Sequence, residues 1–156
     1  MVGPPDQPHV RLSNMHVSFV RLDQELPPPR PAHHGDAGFD LTSTEDITLE
    51  PGDRAAVPTG LAVQIPPGYA GFVLPRSGHA LRHGVGVVNA PGLIDSGYRG
   101  EVKVILVNHG DAAVSFQRGD RIAQLVVMAL PDVELVEVDR LEDSGRGAGG
   151  FGSSGR

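Results

Sequence analysis

The chain has 156 residues, enough for one domain with a real core and too few for two ordinary ones. Apolar residues make up 39%, 21 Gly and 14 Pro favour short strands and tight turns over helices, and the lack of Cys excludes disulfides and thiolate metal sites. The formal charge of −6 argues against a general nucleic-acid binder. No apolar run is long enough to cross a membrane and no secretion signal is visible, so the cytoplasm is the expected compartment.

Residues 1–16 carry three prolines and little apolar pattern, and read as a flexible extension. Val17, Phe19 and Leu22 open a first strand. A connector containing Pro27-Pro28-Pro29 follows, stiff and extended. Gly38 to Ser43 is a short strand in which Asp40 points away from the face used by Phe39 and Leu41. Ile47 and Leu49 alternate. The turn Pro51-Gly52-Asp53 leads to Ala55–Pro58, and Thr59-Gly60 leads to a further strand over 61–65. Another turn at Pro66-Pro67-Gly68 precedes the strand at 69–75. Turns at this spacing predict an all-β sandwich or barrel.

Residues 76–85 (RSGHALRHGV) are the one place with helical character, with Ser77 as the expected cap. Val85, Val87 and Val88 resume the strand pattern. The stretch 90–108, APGLIDSGYRGEVKVILVN, reads as a turn-rich hairpin running into a long buried strand. Val114 and Phe116 alternate, residues 121–130 favour a buried strand over a short helix, and Val133 to Val138 is expected as the last regular piece. From Glu142 the chain is rich in glycine. It reads as a disordered terminus or as a mobile flap whose amides, serines, Arg146 and Phe151 approach a phosphate and a base.

Several polar groups invite a chemical reading beside a plain one. Asp95 at the tip of a rigid hairpin is either a turn opener or a fixed catalytic carboxylate. Arg76-Ser77-Gly78 at a strand-to-helix junction is either a helix start with an exposed Arg or a phosphate-holding group. Gln124 inside an apolar strand needs partners, supplied by a neighbouring loop or by a ligand. His79 and His83 stand four apart with no acid between them, unlike a zinc-protease pattern. The pair His33-His34 and the acids Glu45, Asp46, Glu50 and Asp53 read as solvated.

Five segments in order, AGFDLTS, PRSGHALRHGV, NAPGLIDSGYRGEVKV, GDRIAQLVV and RGAGGFGSSG, resemble the five motifs of the homotrimeric dUTP pyrophosphatases (dUTPases) over residues 36–155. The resemblance implies an all-β, jelly-roll-like distorted barrel with one short helix after the second motif. Its parts would be an N-terminal extension at 1–16, a barrel at 17–141 and a glycine-rich flap at 142–156. The implied activity is hydrolysis of dUTP to dUMP and pyrophosphate with Mg2+, which keeps uracil out of DNA and supplies dUMP for dTMP synthesis. The implied assembly is a homotrimer with its sites at subunit interfaces, with neither nucleic acid nor membrane as partner.

By the same resemblance Asp95 activates the attacking water. Arg76, Ser77, Gly78 and Gln124 contact phosphates, and Asp40 reaches the magnesium shell through water. Asn89 and the segment Leu93, Ile94 pair with uracil, Tyr98 packs under the deoxyribose, and Lys103 matches a further substrate position. Arg146, Ser153 and Ser154 clamp the terminal phosphate and Phe151 stacks on the base. His79 departs from the family's usual small apolar residue, and Arg82 stands where the family varies. Two alternatives remain at this level. One is a dCTP deaminase, or bifunctional deaminase and dUTPase, in which Glu101 would stand for the family's glutamate. The other is a nucleotide-binding regulatory trimer without turnover.

Overall fold

The computed structural model describes residues 15–150. Ten strands and one helix follow in chain order: β1 (Ser18–Arg21), β2 (Phe39–Thr42), β3 (Ile47–Leu49), β4 (Arg54–Gln64), β5 (Tyr69–Pro75), α1 (Ser77–His83), β6 (Val85–Val87), β7 (Gly92–Ile94), β8 (Glu101–Asn108), β9 (Val114–Phe116) and β10 (Arg121–Ala129). Two four-stranded sheets, β1-β4-β8-β6 and β2-β10-β5-β7, are completed by the pair β3-β9, and every pairing is antiparallel. The architecture is all-β, as the turn spacing predicts, and jelly-roll-like, as the resemblance implies.

The core follows from period-two alternation. Along β8, Val102, Val104, Leu106 and Asn108 are buried, while Lys103 and Ile105 point out. These residues meet Leu41, Val73, Ile94 and Leu125 of the other sheet in one cluster. Burying a side chain of this size contributes about 1.5–3 kcal/mol. Asn108 is the polar member. Its amide donates to the carbonyls of Leu49 (2.9 Å) and Ala112 (2.8 Å), and its oxygen accepts the Gly110 N–H (2.8 Å), so the burial carries no unmet demand.

Alternation breaks at two bulges. Ile122 and Ala123 are adjacent and both buried because the pairing of β10 with β2 shifts between Arg121 and Ala123. Residues 55–58 and 61–65, separated by a turn in the sequence pattern, lie mostly on a single strand. β4 runs through Thr59-Gly60 with a register shift between Pro58 and Ala62.

Three further expectations are corrected. The stretch 90–108 is not a hairpin: β7 pairs with β5 and β8 pairs with β4 and β6, so residues 95–100 carry the chain from one sheet to the other. Ser77 is the first helical residue rather than the cap. Arg76 holds the cap position in extended conformation, without a capping side-chain bond. The helix ends on Gly84, whose φ of 67° suits glycine and whose added Cβ would come within 2.7 Å of the Gly110 nitrogen. Finally, residues 133–138 form no strand. Val133, Leu135, Val136 and Val138 are exposed, because the pattern finds no ladder partner among the described residues.

Candidate active site

The ends of β2, β5 and β10 converge on an open cleft of about 620 Å³ lined by Asp40, Arg76, Ser77, Gly78, Arg121 and Gln124, among others. The register explains why. Gln124 lies opposite Asp40 on one side and Leu74 on the other, and Arg76 follows immediately after β5. Asp40 faces away from buried Leu41, as alternation requires. Its two oxygens are each matched to a cation, Arg76 Nε at 3.1 Å and Arg121 Nη1 at 3.2 Å. The cleft therefore presents guanidinium groups fixed by one carboxylate, an arrangement suited to a polyanion.

Gln124 donates through Nε2 to the Pro75 carbonyl at 3.1 Å, so its amide is tied to β5 while it still faces the cleft. The partner that its amide needs is thus supplied by the end of β5. Gly38 makes the arrangement possible. A Cβ there would stand 2.7 Å from Gln124 Oε1. On the far side of α1, His79 Nε2 lies 2.8 Å from the Arg121 carbonyl, and its ring meets Phe116 edge-on with centroids 5.0 Å apart. His79 thus fixes the backbone of Arg121.

A second, smaller pocket of about 150 Å³ is lined by Asn89, Gly92, Leu93, Ile94, Tyr98, Glu101 and Lys103, with Val73, Val87, Val102 and Ile105 behind. It lies where β7 and β8 leave their separate sheets. The Ala90–Pro91 peptide is cis. Tyr98 is partly exposed, and its hydroxyl donates to the Glu101 carbonyl at 2.8 Å. The Asp95 carbonyl accepts the Tyr98 N–H at 3.1 Å, so Asp95 does open a turn, and its side chain is exposed.

The structure brings Arg76, Ser77, Gly78, Gln124 and Asp40 together, and separately Asn89, Leu93, Ile94, Tyr98 and Lys103. The two groups of lining residues do not overlap, and Asp95 lines neither cavity. Arg146 lines neither as well; its Nε donates to the Gly149 carbonyl at 2.7 Å. Phe151, Ser153 and Ser154 lie outside the described residues. The sequence reading missed Arg121 and gave Arg82 no role, yet both line the larger cleft. The available signal was the polar start of GDRIAQ, where a cation opens a strand that also carries Gln124.

Among the described residues no group of three or more His, Cys, Asp or Glu could cage an ion. One carboxylate beside a guanidinium-lined cleft is still compatible with Mg2+, which keeps several of its waters and binds through one or two carboxylates plus phosphate oxygens.

The sequence model of the dUTPase family matches residues 24–155. The chain belongs to the dUTPase family. Among curated relatives, the deoxyuridine 5'-triphosphate nucleotidohydrolase of Anaeromyxobacter sp. is 60% identical over 143 residues, covering 90% of this chain and 97% of the relative. Among solved structures, the Staphylococcus bacteriophage 80alpha dUTPase with dUPNHPP matches with a TM-score of 0.83 at 30% identity, over 92% of this chain and all of that one. A mutant dUTPase from phage phi11 of S. aureus, described with the coordination of a structural Mg(II) ion, matches with a TM-score of 0.75 at 26% identity, over 83% of this chain and 100% of that one. The fold seen here is thus that of the solved dUTPases. No helix among the described residues is long and apolar enough to cross a membrane.

Proposed function

We propose that this chain hydrolyses dUTP to dUMP and pyrophosphate, lowering the pool from which uracil enters DNA and supplying dUMP, in the cytoplasm. The observation that carries the reading is the Arg76–Asp40–Arg121 cleft with Gln124, set in a chain of the dUTPase family. Arg76, Ser77, Gly78 and Gln124 bind the phosphate chain. Asn89 with Leu93 and Ile94 reads the uracil edge, where a wrong base leaves polar groups unpaired. Tyr98 packs against the deoxyribose, and Lys103 lines the same pocket. Asp95 takes a proton from water as the water oxygen bonds to the α-phosphorus. The bond from that phosphorus to the bridging oxygen breaks, and pyrophosphate leaves with its electron pair.

Asp40 would hold Mg2+ through water, and the ion would supply charge neutralisation on the phosphates. Arg146, Phe151, Ser153 and Ser154 belong to a closing segment, 142–156, distinct from the 17–141 barrel and the 1–16 extension. The working form is a homotrimer. Its support is that the phosphate cleft and the nucleoside pocket use separate residues, and that Leu135, Val136 and Val138 are left exposed in one chain. Neither nucleic acid nor membrane is needed as a partner.

The deaminase alternative is disfavoured at Glu101, whose carboxylate already accepts the Gly60 N–H at 2.9 Å. The test is pyrophosphate release from dUTP, UTP, dCTP and dTTP, with magnesium and with chelator, for the wild type and for Asp95→Asn. Release from dUTP alone, abolished in Asp95→Asn with dUTP binding retained, is expected. Full activity in that variant removes the assignment, and ammonia from dCTP moves the protein to the deaminase reading.

A further inference from the structure

Glu101 is tied at both ends. Its carboxylate Oε1 accepts the Gly60 N–H at 2.9 Å, and its main-chain carbonyl accepts the Tyr98 hydroxyl at 2.8 Å. Gly60 sits in the β4 bulge, where Thr59, Gly60 and Leu61 face Val102 alone on β8. A bulge leaves backbone groups off the ladder, and here the N–H and the carbonyl of Gly60 both find substitutes. The Gly60 carbonyl accepts the Leu22 N–H at 2.7 Å, the Thr59 hydroxyl donates to the Val102 carbonyl at 2.6 Å, and the Gly60 N–H goes to Glu101. Gly60 itself has φ of 64°, and a Cβ there would meet Asp23 and Thr44 at 2.9 Å, so the bulge is closely packed and requires glycine at this position.

We infer that Glu101 is a positioning residue for sugar selection. It transmits the rigidity of the β4 bulge through its own backbone to the Tyr98 ring, which walls the nucleoside pocket. The inference rests on the dUTP reading for the identity of the sugar. The ring is partly exposed, and its hydroxyl bond to Glu101 is its polar anchor. A ring so anchored keeps the pocket wall in place against an added 2′-hydroxyl, whereas a free ring rotates aside. The carboxylate does no chemistry on the nucleotide. Its job is to satisfy one amide, which a neutral acceptor does equally well.

The experiment measures binding of the α,β-imido triphosphates of deoxyuridine and of uridine by calorimetry, beside dUTP turnover, for the wild type, Glu101→Ala, Glu101→Gln and Tyr98→Phe. The alanine variant is expected to narrow the deoxy-to-ribo affinity ratio roughly tenfold, as loss of one positioned contact does, with kcat changed less than KM. The glutamine variant, which keeps an acceptor for Gly60, restores the ratio to within about threefold. Tyr98→Phe reproduces the alanine result with the bulge intact. An unchanged ratio in Glu101→Ala or in Tyr98→Phe overturns the inference, and so does a glutamine variant as impaired as the alanine one. If Glu101→Ala does not fold, the other two variants decide. A wild type that prefers the deoxy analogue but releases no pyrophosphate removes the hydrolase reading and leaves this one standing.

Discussion

Asp40 is the point at which the phosphate cleft can be taken apart. The substitution Asp40→Asn keeps the shape and removes the charge. It leaves two guanidinium groups, Arg76 and Arg121, each of which had its own carboxylate oxygen, facing one acceptor oxygen and one NH2 donor. The carboxylate side chain is 15% exposed, Arg76 27% and Arg121 52%. At about 4 Å and an effective dielectric near 20, each pair has a gross attraction of about 4 kcal/mol. Desolvation and residual exposure remove most of that. About 1 kcal/mol remains for the exposed Arg121 pair and about 1.5 kcal/mol for the better enclosed Arg76 pair. The variant should therefore lose about 1–3 kcal/mol of stability, a fall in melting temperature of about 2–4 °C per kcal/mol for a chain of this size. A guanidinium that is no longer held should also cost kcat/KM about tenfold to a hundredfold, since about 1.4 kcal/mol is a factor of ten. The assay is dUTP hydrolysis across a magnesium titration, with thermal unfolding in parallel. If Asp40 mainly orients Arg76, the rise in KM persists at saturating magnesium. If it mainly serves the ion, saturating magnesium recovers most of the loss. A variant with wild-type kcat/KM at every magnesium level and an unchanged melting temperature would refute the whole account of the cleft.

Gly38→Ala pushes a methyl to 2.7 Å from Gln124 Oε1 and must displace the amide from Pro75. It should cost about 1–3 kcal/mol by overpacking and raise KM, read by thermal melting and steady-state kinetics. Asp23 is held below the ordinary carboxylate range by hydrogen bonds from Arg118, which also bonds Glu25 and the Thr44 carbonyl. Because its folded pKa is lowered, its contribution is present above the ordinary value near 3.9 and is lost as pH falls through the folded one. The stability gap between wild type and Asp23→Asn in urea should thus stay flat from pH 7 to about 5 and close below about pH 4. Subunit mixing tests the assembly. Asp95→Asn and Arg76→Ala trimers, each inactive, should regain about a quarter of wild-type activity after joint refolding in equal amounts if the two residues of one site come from different chains. No recovery means that both come from one chain.

Much of the fold was legible because alternation and turn chemistry act locally. The burial of Val102, Val104 and Leu106 follows from side-chain period, and the strand at 121–129 from its Val-rich centre and its neighbours. The errors share a cause. Residues 90–108 look like a hairpin because a short turn joins two strands, but pairing is decided by what lies across each strand. Here that is β5 for β7, and β4 and β6 for β8. The bulge at Thr59-Gly60 reads as a turn for the same reason. Glycine and threonine mark the interruption, while the substitute bonds come from Glu101 and Val102, some forty positions away.

The site was legible in a different way, through motifs that name residues without saying how they meet. Register supplies what the motifs leave out. Asp40 and Gln124 are cross-strand neighbours, and Arg76 stands at the end of the adjacent strand, so three separate motifs meet across neighbouring strands of one sheet. Arg121 escaped notice because its value lies in a contact rather than in its place in the chain. It becomes visible only when Asp40 is seen to hold two cations at once. The nucleoside pocket is built on the crossing between the sheets, and its residues belong to a different group from the cleft. Hydrolysis needs a base, a bound nucleoside and a neutralised phosphate chain within a few ångströms of one phosphorus. In one chain the two linings share no residue, Asp95 lines neither, and Val133, Leu135, Val136 and Val138 are exposed. The proposed homotrimer answers the separation of the two linings if a neighbouring copy completes the site, which the mixing experiment reads.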